Sequence, residues 1–310
     1  MADYHPIKIG DMTLGGPFGS RTGLAVGSIF YDKHSIVTDC FAGEFDLHRA
    51  GMLVDRVNAL SERYGVQMGF DVIAATAESM ERFLEFVGSR TRLPLLINST
   101  EVEVRLAGLE AAAKLKILQQ CIYASLNEDT EGSELESLAR QAPAAVMLLA
   151  SDIGNPTPEG TCEMLESFFR PMLKEIGVTV PIVDVGTMDA PSIGLNLRQI
   201  RAVRERFGYP AGCAFSNCFS QWTGLSSLGR EWVDLSLAAA LVACRSAGAD
   251  FLHYGIIEKA AVAAHVAGTA EVFYGFAAQE LDGEVLPKEH ALWKMFKLSQ
   301  GNTSRYSQDR

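Results

Sequence analysis

The sequence predicts an α/β chain of one domain, a (β/α)8 TIM barrel with a short N-terminal β-hairpin. Three observations predict it. Eight short apolar runs recur along the chain, each followed by a stretch of helical period. The runs are apolar on successive positions, as strands buried on both faces must be. Several end abruptly in Asn, Asp or Ser, and a barrel gathers its chemistry at the C-terminal ends of its strands. A length of 310 residues suits this fold. An open doubly wound sheet is the alternative with the same alternation.

The elements follow in order. Residues 6–16 alternate loosely and end in Gly15-Gly16-Pro17, a small hairpin or lid over one end of the fold. Leu24–Phe30 is the first strand and Leu47–Arg63 its helix. Val66–Ala74 is the second strand, carrying Asp71, with a helix over Glu78–Val87. The third unit is the clearest, RLPLLINSTEVE from Arg92 to Glu103. Leu95, Leu96 and Ile97 are apolar, then Asn98, Ser99 and Thr100 are polar. Thr100 and Glu103 have the spacing of a capping box, which predicts a helix over Glu101–Lys114.

Cys121–Asn127 is the fourth strand, with a helix over Glu131–Arg140. Ala144–Asp152 is the fifth, ended by the loop GNPTPEG. Thr161–Ile176 is helical, kinked or split at Pro171. Val180–Gly186 is the sixth strand. The helix Ile193–Phe207 after it carries Arg198, Arg201 and Arg204 on one polar face. Ala211–Asn217 is the seventh strand, followed by a largely apolar helix over Trp232–Ala247. Phe251–Ile257 is the eighth, and a helix from Ala260 to about Ala278 closes the count. Residues 1–300 form one domain and 301–310 a polar tail.

Composition removes several function classes. The formal charge is −11, with no basic run, which argues against a nucleic-acid surface. No run of eighteen apolar residues predicts a membrane span. The N-terminus lacks a basic segment followed by an apolar one, so no secretory leader is expected and the cytoplasm is the default location. The six cysteines form no CxxC pair, and Cys121, Cys213 and Cys244 read as small core residues. There is no GxGxxG after the first strand, no P-loop and no GxSxG elbow. His and carboxylate clusters of the kind a metal hydrolase needs are scarce, and no metal site is expected.

On a barrel, the strand ends collect Asp71, Asn98, Ser125, Asn127, Asp152, Asn155, Asp184, Ser216, Asn217 and Glu258 at the mouth. Lys259 is the nearest lysine. Such a mouth, rich in amides and carboxylates and poor in nucleophiles, suits a flat heterocycle with many hydrogen bonds, such as a pterin. A carboxylate accepts paired N–H bonds from a 2-amino-4-oxo ring, and the ligand carries the reactive group. Asp71, Asn98, Asp152, Asp184 and Asn217 are the candidate pterin-binding residues, with Asp184 and Asn217 acting in catalysis. Four of these five, and Glu258 beside them, have a second reading. Asn98 fits an Asx turn, Asp71 an ion pair with an Arg, Asp152 a loop-shaping residue, Asn217 a loop cap and Glu258 a helix-start charge.

The segments GSIFYDKHSIV, GEFD, LPLLINST, CIYASLN, VPIVDVGT, FGYPAGCAFSN and ADFLHYGIIEKA, in that order, resemble the H-subunit family of tetrahydromethanopterin S-methyltransferase and its bacterial relatives. Among those relatives are the methylcobalamin:tetrahydrofolate methyltransferases of glycine betaine demethylation. The likeness spans nearly the whole chain. It implies a barrel that holds a reduced pterin in its mouth. Methyl would move between a cobamide, carried by a small corrinoid protein, and N5 of tetrahydrofolate. It also implies a homodimer. In the family pattern the third strand ends in Asp-Ser-Thr, the fourth carries Asn-Ser, the sixth an Asp and the seventh an Asn. Asp184 and Asn217 match, whereas Asn98 and Ala124 depart. Two other readings stay open: a non-catalytic pterin-binding subunit of a methyltransferase complex, and a dihydropteroate synthase-like enzyme. A metal-dependent barrel hydrolase is a third.

Overall fold

Each strand divides its residues between two cores, and that division builds the barrel. In the computed structural model, which describes residues 3–296 apart from the side chains of Asn217 and Ser220, β1 (Leu24–Ile29) is buried throughout. Leu24 and Val26 face inward while Ala25 and Ile29 face the helices. The same period of two runs through β2 (Met68–Ile73), β3 (Leu95–Asn98), β4 (Cys121–Leu126) and β5 (Ala145–Leu149). It continues in β6 (Ile182–Asp184), β7 (Ala211–Ala214) and β8 (Phe251–Ile256). All eight are parallel, each pairs with its sequence neighbour, and β8 pairs with β1 to close the ring. The predicted barrel is therefore the fold, and closure rules out the open sheet.

The N-terminal hairpin is present, Ile7–Ile9 against Met12–Leu14, turning at Gly10 with φ of 57°. Its Ile7, Ile9 and Leu14 pack on Leu24, Ile122, Ile182 and Phe251, so apolar side chains plug the bottom of the barrel. The mouth at the other end is left open.

Helices α1 (Leu47–Tyr64), α2 (Ala77–Gly88), α3 (Val102–Lys114) and α4 (Gly132–Gln141) follow β1 to β4. The capping box expected at Thr100 and Glu103 does not form. Thr100 Oγ1 turns to Glu101 at 3.3 Å, and α3 starts without a side-chain cap. Arg105 instead takes the Ser99 carbonyl at 2.8 Å. The box sits on α2, between Thr76 and Ser79.

After β5 the helix is split, as the proline suggested. Pro158–Met164 is α-helical, Leu165–Phe169 is π-helical, and Arg170–Glu175 resumes the α-helix. Pro171 has no N–H to give to the preceding turn, and the widened segment lies just before it. Then come α5 (Ile193–Phe207), the short helices Ser216–Gln221 and Thr223–Ser226, α6 (Arg230–Ser246) and α7 (Ala260–Asp282).

Arg204 does not lie on a polar face with Arg198. Residues six apart on a helix are about 120° apart around its axis. Arg204 is buried and ion-paired to Asp250, and its Nη2 donates to the Gly16 carbonyl at 2.8 Å. Asp250 also accepts the Ala211 N–H at 3.2 Å. A second buried pair joins Arg245 to Glu271 at 2.5 Å, and Glu271 also accepts the Gly23 N–H at 2.8 Å. These pairs pin the N-terminal ends of β1, β7 and β8, far from the mouth.

Cys121, Cys213 and Cys244 are buried as expected. Among the described residues no helix is long and apolar enough to cross a membrane. The polar tail 301–310 lies outside the described residues.

Candidate functional site

The period that fills the lower barrel with Leu24, Leu96, Ile122 and Ile182 puts further inward positions toward the C-terminal ends of the strands, at the mouth. Those positions hold Ser28 on β1, Asp71 on β2, Asn98 on β3, Asp184 on β6 and His253 on β8. All five line an open cavity of about 1320 Å³. Ala124, Ser125, Ser216, Asp234, Glu258 and Lys259 also reach it.

One wall is a continuous hydrogen-bonded belt across four neighbouring strands. Asp71 is buried at its centre. Its Oδ1 accepts from Asn98 Nδ2 at 2.8 Å. Its Oδ2 accepts from Ser28 Oγ at 2.8 Å and bonds His253 Nε2 at 3.0 Å. Burial alone would raise the Asp71 carboxyl, but the bonds from His253, Asn98 and Ser28 outweigh it and hold the group below the usual carboxylate range.

Asp184, on another wall, has the opposite balance. It accepts the Gly186 N–H at 2.8 Å, yet burial dominates and pushes its carboxyl up to about 6. The two carboxylates therefore differ in proton affinity within one cup. At the rim, Tyr31 stacks on His34 with ring centroids 4.3 Å apart. Burial and the Glu258 carboxylate push the Tyr31 hydroxyl up to about 12. Lys259 is tied to Asp234 at 2.9 Å.

Asp71, Asn98 and Asp184 thus come together, as their places at the strand ends predict. Asp152 does not join them. It lies beyond the end of β5, and its Oδ1 accepts the N–H groups of Gly154 and Asn155 at 2.8 and 3.1 Å, shaping its own loop. Asn127 likewise closes a local turn on the Asp129 N–H at 3.0 Å, and Asn155 accepts from Thr157 at 2.8 Å. Asn217 was expected at the end of the seventh strand. The strand ends at Ala214, and Asn217 belongs to the helix Ser216–Gln221; its side chain lies outside the described residues. Among the described residues Asp71 has no Arg partner; its cation is His253 when that ring is protonated.

Sequence reasoning passed over Ser28 and His253 as site residues. The available signal was register. Ser28 follows Leu24 and Val26 at steps of two, and His253 follows Phe251 by two.

The closed eight-stranded barrel is shared in fold with dihydropteroate synthases. The enzyme of Xanthomonas albilineans superposes with a TM-score of 0.60 at 14% identity, covering 90% of this chain and 100% of that one. That of Thermus thermophilus gives 0.56 at 16% identity, covering 87% and 100%. Likeness at that identity defines a fold class. The family follows from sequence: residues 4–286 match the model described as the tetrahydromethanopterin S-methyltransferase MtrH subunit, and the chain belongs to that family. The H subunit of tetrahydromethanopterin S-methyltransferase from Methanothermobacter marburgensis is 30% identical over 301 residues, 93% of this chain and 96% of the relative. Its counterpart from Methanosarcina mazei is 29% identical, covering 91% and 94%.

Proposed function

We propose that this protein is a methyltransferase that moves a methyl group between a cobamide, carried by a small corrinoid protein, and N5 of tetrahydrofolate. The observation that carries this reading is the mouth itself: hydrogen-bond acceptors at Asn98 and Asp184 enter one cavity from β3 and β6. A reduced pterin has an edge of N–H donors, at its 2-amino group and N3, that such acceptors fit. Family membership supports methyl transfer, and the relatives are named for tetrahydromethanopterin. The choice of tetrahydrofolate rests on the resemblance of the sequence to the bacterial members of the family.

The transfer is an SN2 displacement. The N5 lone pair forms the new bond to the methyl carbon as the carbon–cobalt bond breaks, and that electron pair leaves with cobalt as Co(I). N5 gives up its proton to solvent. The chain's part is to hold the ring with N5 open to a large planar partner. Asp184 accepts from the 2-amino and N3–H edge. Asn217 is assigned the place beside N5, where an amide can accept from N–H or donate to a lone pair.

A corrinoid protein is too large for the cup and docks over the mouth, on the rim segments 31–45, 154–160 and 218–230. Trp222 is 50% exposed on that rim, whereas Phe219 and Leu225 are buried beneath it. The reading includes a cytoplasmic homodimer.

One observation favours a second reading. Ala124 presents a methyl group to the cavity where the family pattern has Asn, which weakens the grip on the ring and suits a non-catalytic pterin-binding subunit. Anaerobic mixing with methylcobalamin and tetrahydrofolate, followed in the visible range, decides between them. Appearance of Co(I) is expected. Tight binding of tetrahydrofolate with no Co(I) leaves the non-catalytic reading. A parallel run with tetrahydromethanopterin decides which pterin is used.

A further inference from the structure

Asp71 occupies the pterin cup, but both of its oxygens are already used. Oδ1 holds the Asn98 amide, and Oδ2 holds Ser28 and His253. A carboxylate has no hydrogen to give. Asn98 must therefore turn its NH2 to Asp71, and its carbonyl oxygen is left for the cavity that Asn98 lines. No hydrogen bond reaches that oxygen from the described residues. Asp71 is on β2 and Asn98 on the adjacent β3, with Asn98 opposite Ile73 in the ladder. The fixed strand register holds the two side chains together.

From this geometry we infer that Asp71 is a positioning residue that makes no contact with the pterin. It fixes the polarity of Asn98, so that this amide faces the ligand as an acceptor. The inference rests on the pterin reading of the cup and deepens it: a neutral side chain presents an acceptor where the family pattern has a carboxylate. The ligand it selects has an N–H or NH2 group at that point.

Asp71→Asn keeps the shape but can offer an NH2 to residue 98. The Asn98 amide then turns to accept it, and its own NH2 enters the cavity. Donor would face donor. Adding Asn98→Asp restores an acceptor, because the carboxylate introduced on β3 takes the amide hydrogen on one oxygen and offers the other to the ring.

Two measurements test this. The first needs no ligand: side-chain amide NMR of the free protein. The Asn98 NH2 resonances should move downfield and exchange slowly, and Asp71→Asn should abolish both signatures. The second is anaerobic titration calorimetry with tetrahydrofolate. Asp71→Asn should weaken binding at least tenfold, and Asp71→Asn with Asn98→Asp should return to within about threefold of wild type. A merely structural Asp71 would not be rescued by the second change, nor would one that touches the ring. Wild-type protein that binds neither tetrahydrofolate nor tetrahydromethanopterin overturns the pterin reading and this role with it. Wild-type binding with unchanged affinity in Asp71→Asn, or free and rapidly exchanging Asn98 amide protons, overturns the positioning role alone.

Discussion

His34 Nε2 lies 2.9 Å from Glu258 Oε1, joining the loop after β1 to the turn after β8. The other ring nitrogen of His34 accepts the Phe30 N–H at 3.0 Å, so Nε2 carries the proton toward Glu258. His34 is buried, and Phe30 holds a left-handed φ of 63°. One imidazole thus satisfies a turned backbone and pins the rim across the strands that close the barrel.

His34→Ala should therefore cost about 1–3 kcal/mol, the penalty for a buried N–H left without its acceptor. Urea denaturation measures it. Glu258→Gln should cost less, because the amide oxygen still accepts from Nε2. The His34 bond, against the opposing effect of burial, holds the Glu258 carboxyl below its ordinary value. Glu258 therefore adds stability at neutral pH that is lost as pH falls through the acid range, and Glu258→Gln should flatten that loss.

Asp184 predicts the opposite slope. Its carboxyl is raised to about 6, so the folded protein keeps this proton where the unfolded chain has released it. Its contribution to stability declines as pH rises from about 4 to about 6, then levels off. Asp184→Asn should remove that decline in denaturation curves taken at several pH values. Ligand binding runs the other way if the ionised form accepts the pterin donors. Affinity for tetrahydrofolate should drop by up to about tenfold per pH unit below about 6 in wild type. Calorimetry from about pH 5 to about pH 7.5 spans that change, and a flat profile removes Asp184 from the ring contact.

Asn217→Ala should lose most of the methyl-transfer rate, by about a hundredfold, as expected when one well-placed polar group at the reacting atom is removed. The dissociation constant for tetrahydrofolate should change far less. Stopped-flow detection of Co(I) at saturating pterin separates the two. Transfer at the wild-type rate would withdraw the assignment.

Gly27 and Tyr254 make a packing prediction. They sit on the paired strands β1 and β8, and a Cβ on Gly27 would overlap the Tyr254 ring. Gly27→Ala should destabilise by about 3 kcal/mol, at the top of the range for overpacking. The Tyr254 hydroxyl is buried and has no hydrogen-bond partner among the described residues, so Tyr254→Phe should stabilise by about 1 kcal/mol. Thermal or urea unfolding reads both.

The strand runs and their order were plain in the residues, because a strand covered on both faces has to be apolar throughout. LLIN followed by STEVE shows the end of β3 directly, and Asp71, Asn98 and Asp184 stand out as polar residues at the ends of apolar runs. His253 was hidden by the same rule. In FLHYGI, with both faces covered, the step of two puts His253 on the face of Phe251 but leaves open which face is inside until the ring closes. Asn217 was misplaced because AGCAFSN reads as one apolar run, whereas the barrel strand has only four residues before the chain turns into a helix. Arg204 was read as solvated because a side chain's partner 46 residues away leaves no local trace.

By itself, then, the sequence determined the barrel, the family and three carboxylate or amide positions at its mouth. These depend on hydrophobic period and on residue order, which are local. Only the tertiary structure decided that Asp71 is held by Asn98, Ser28 and His253, and that Asp152 serves its own loop. Hydrogen-bond partners are a matter of distance and direction between strands, and the chain sets those only when β8 meets β1.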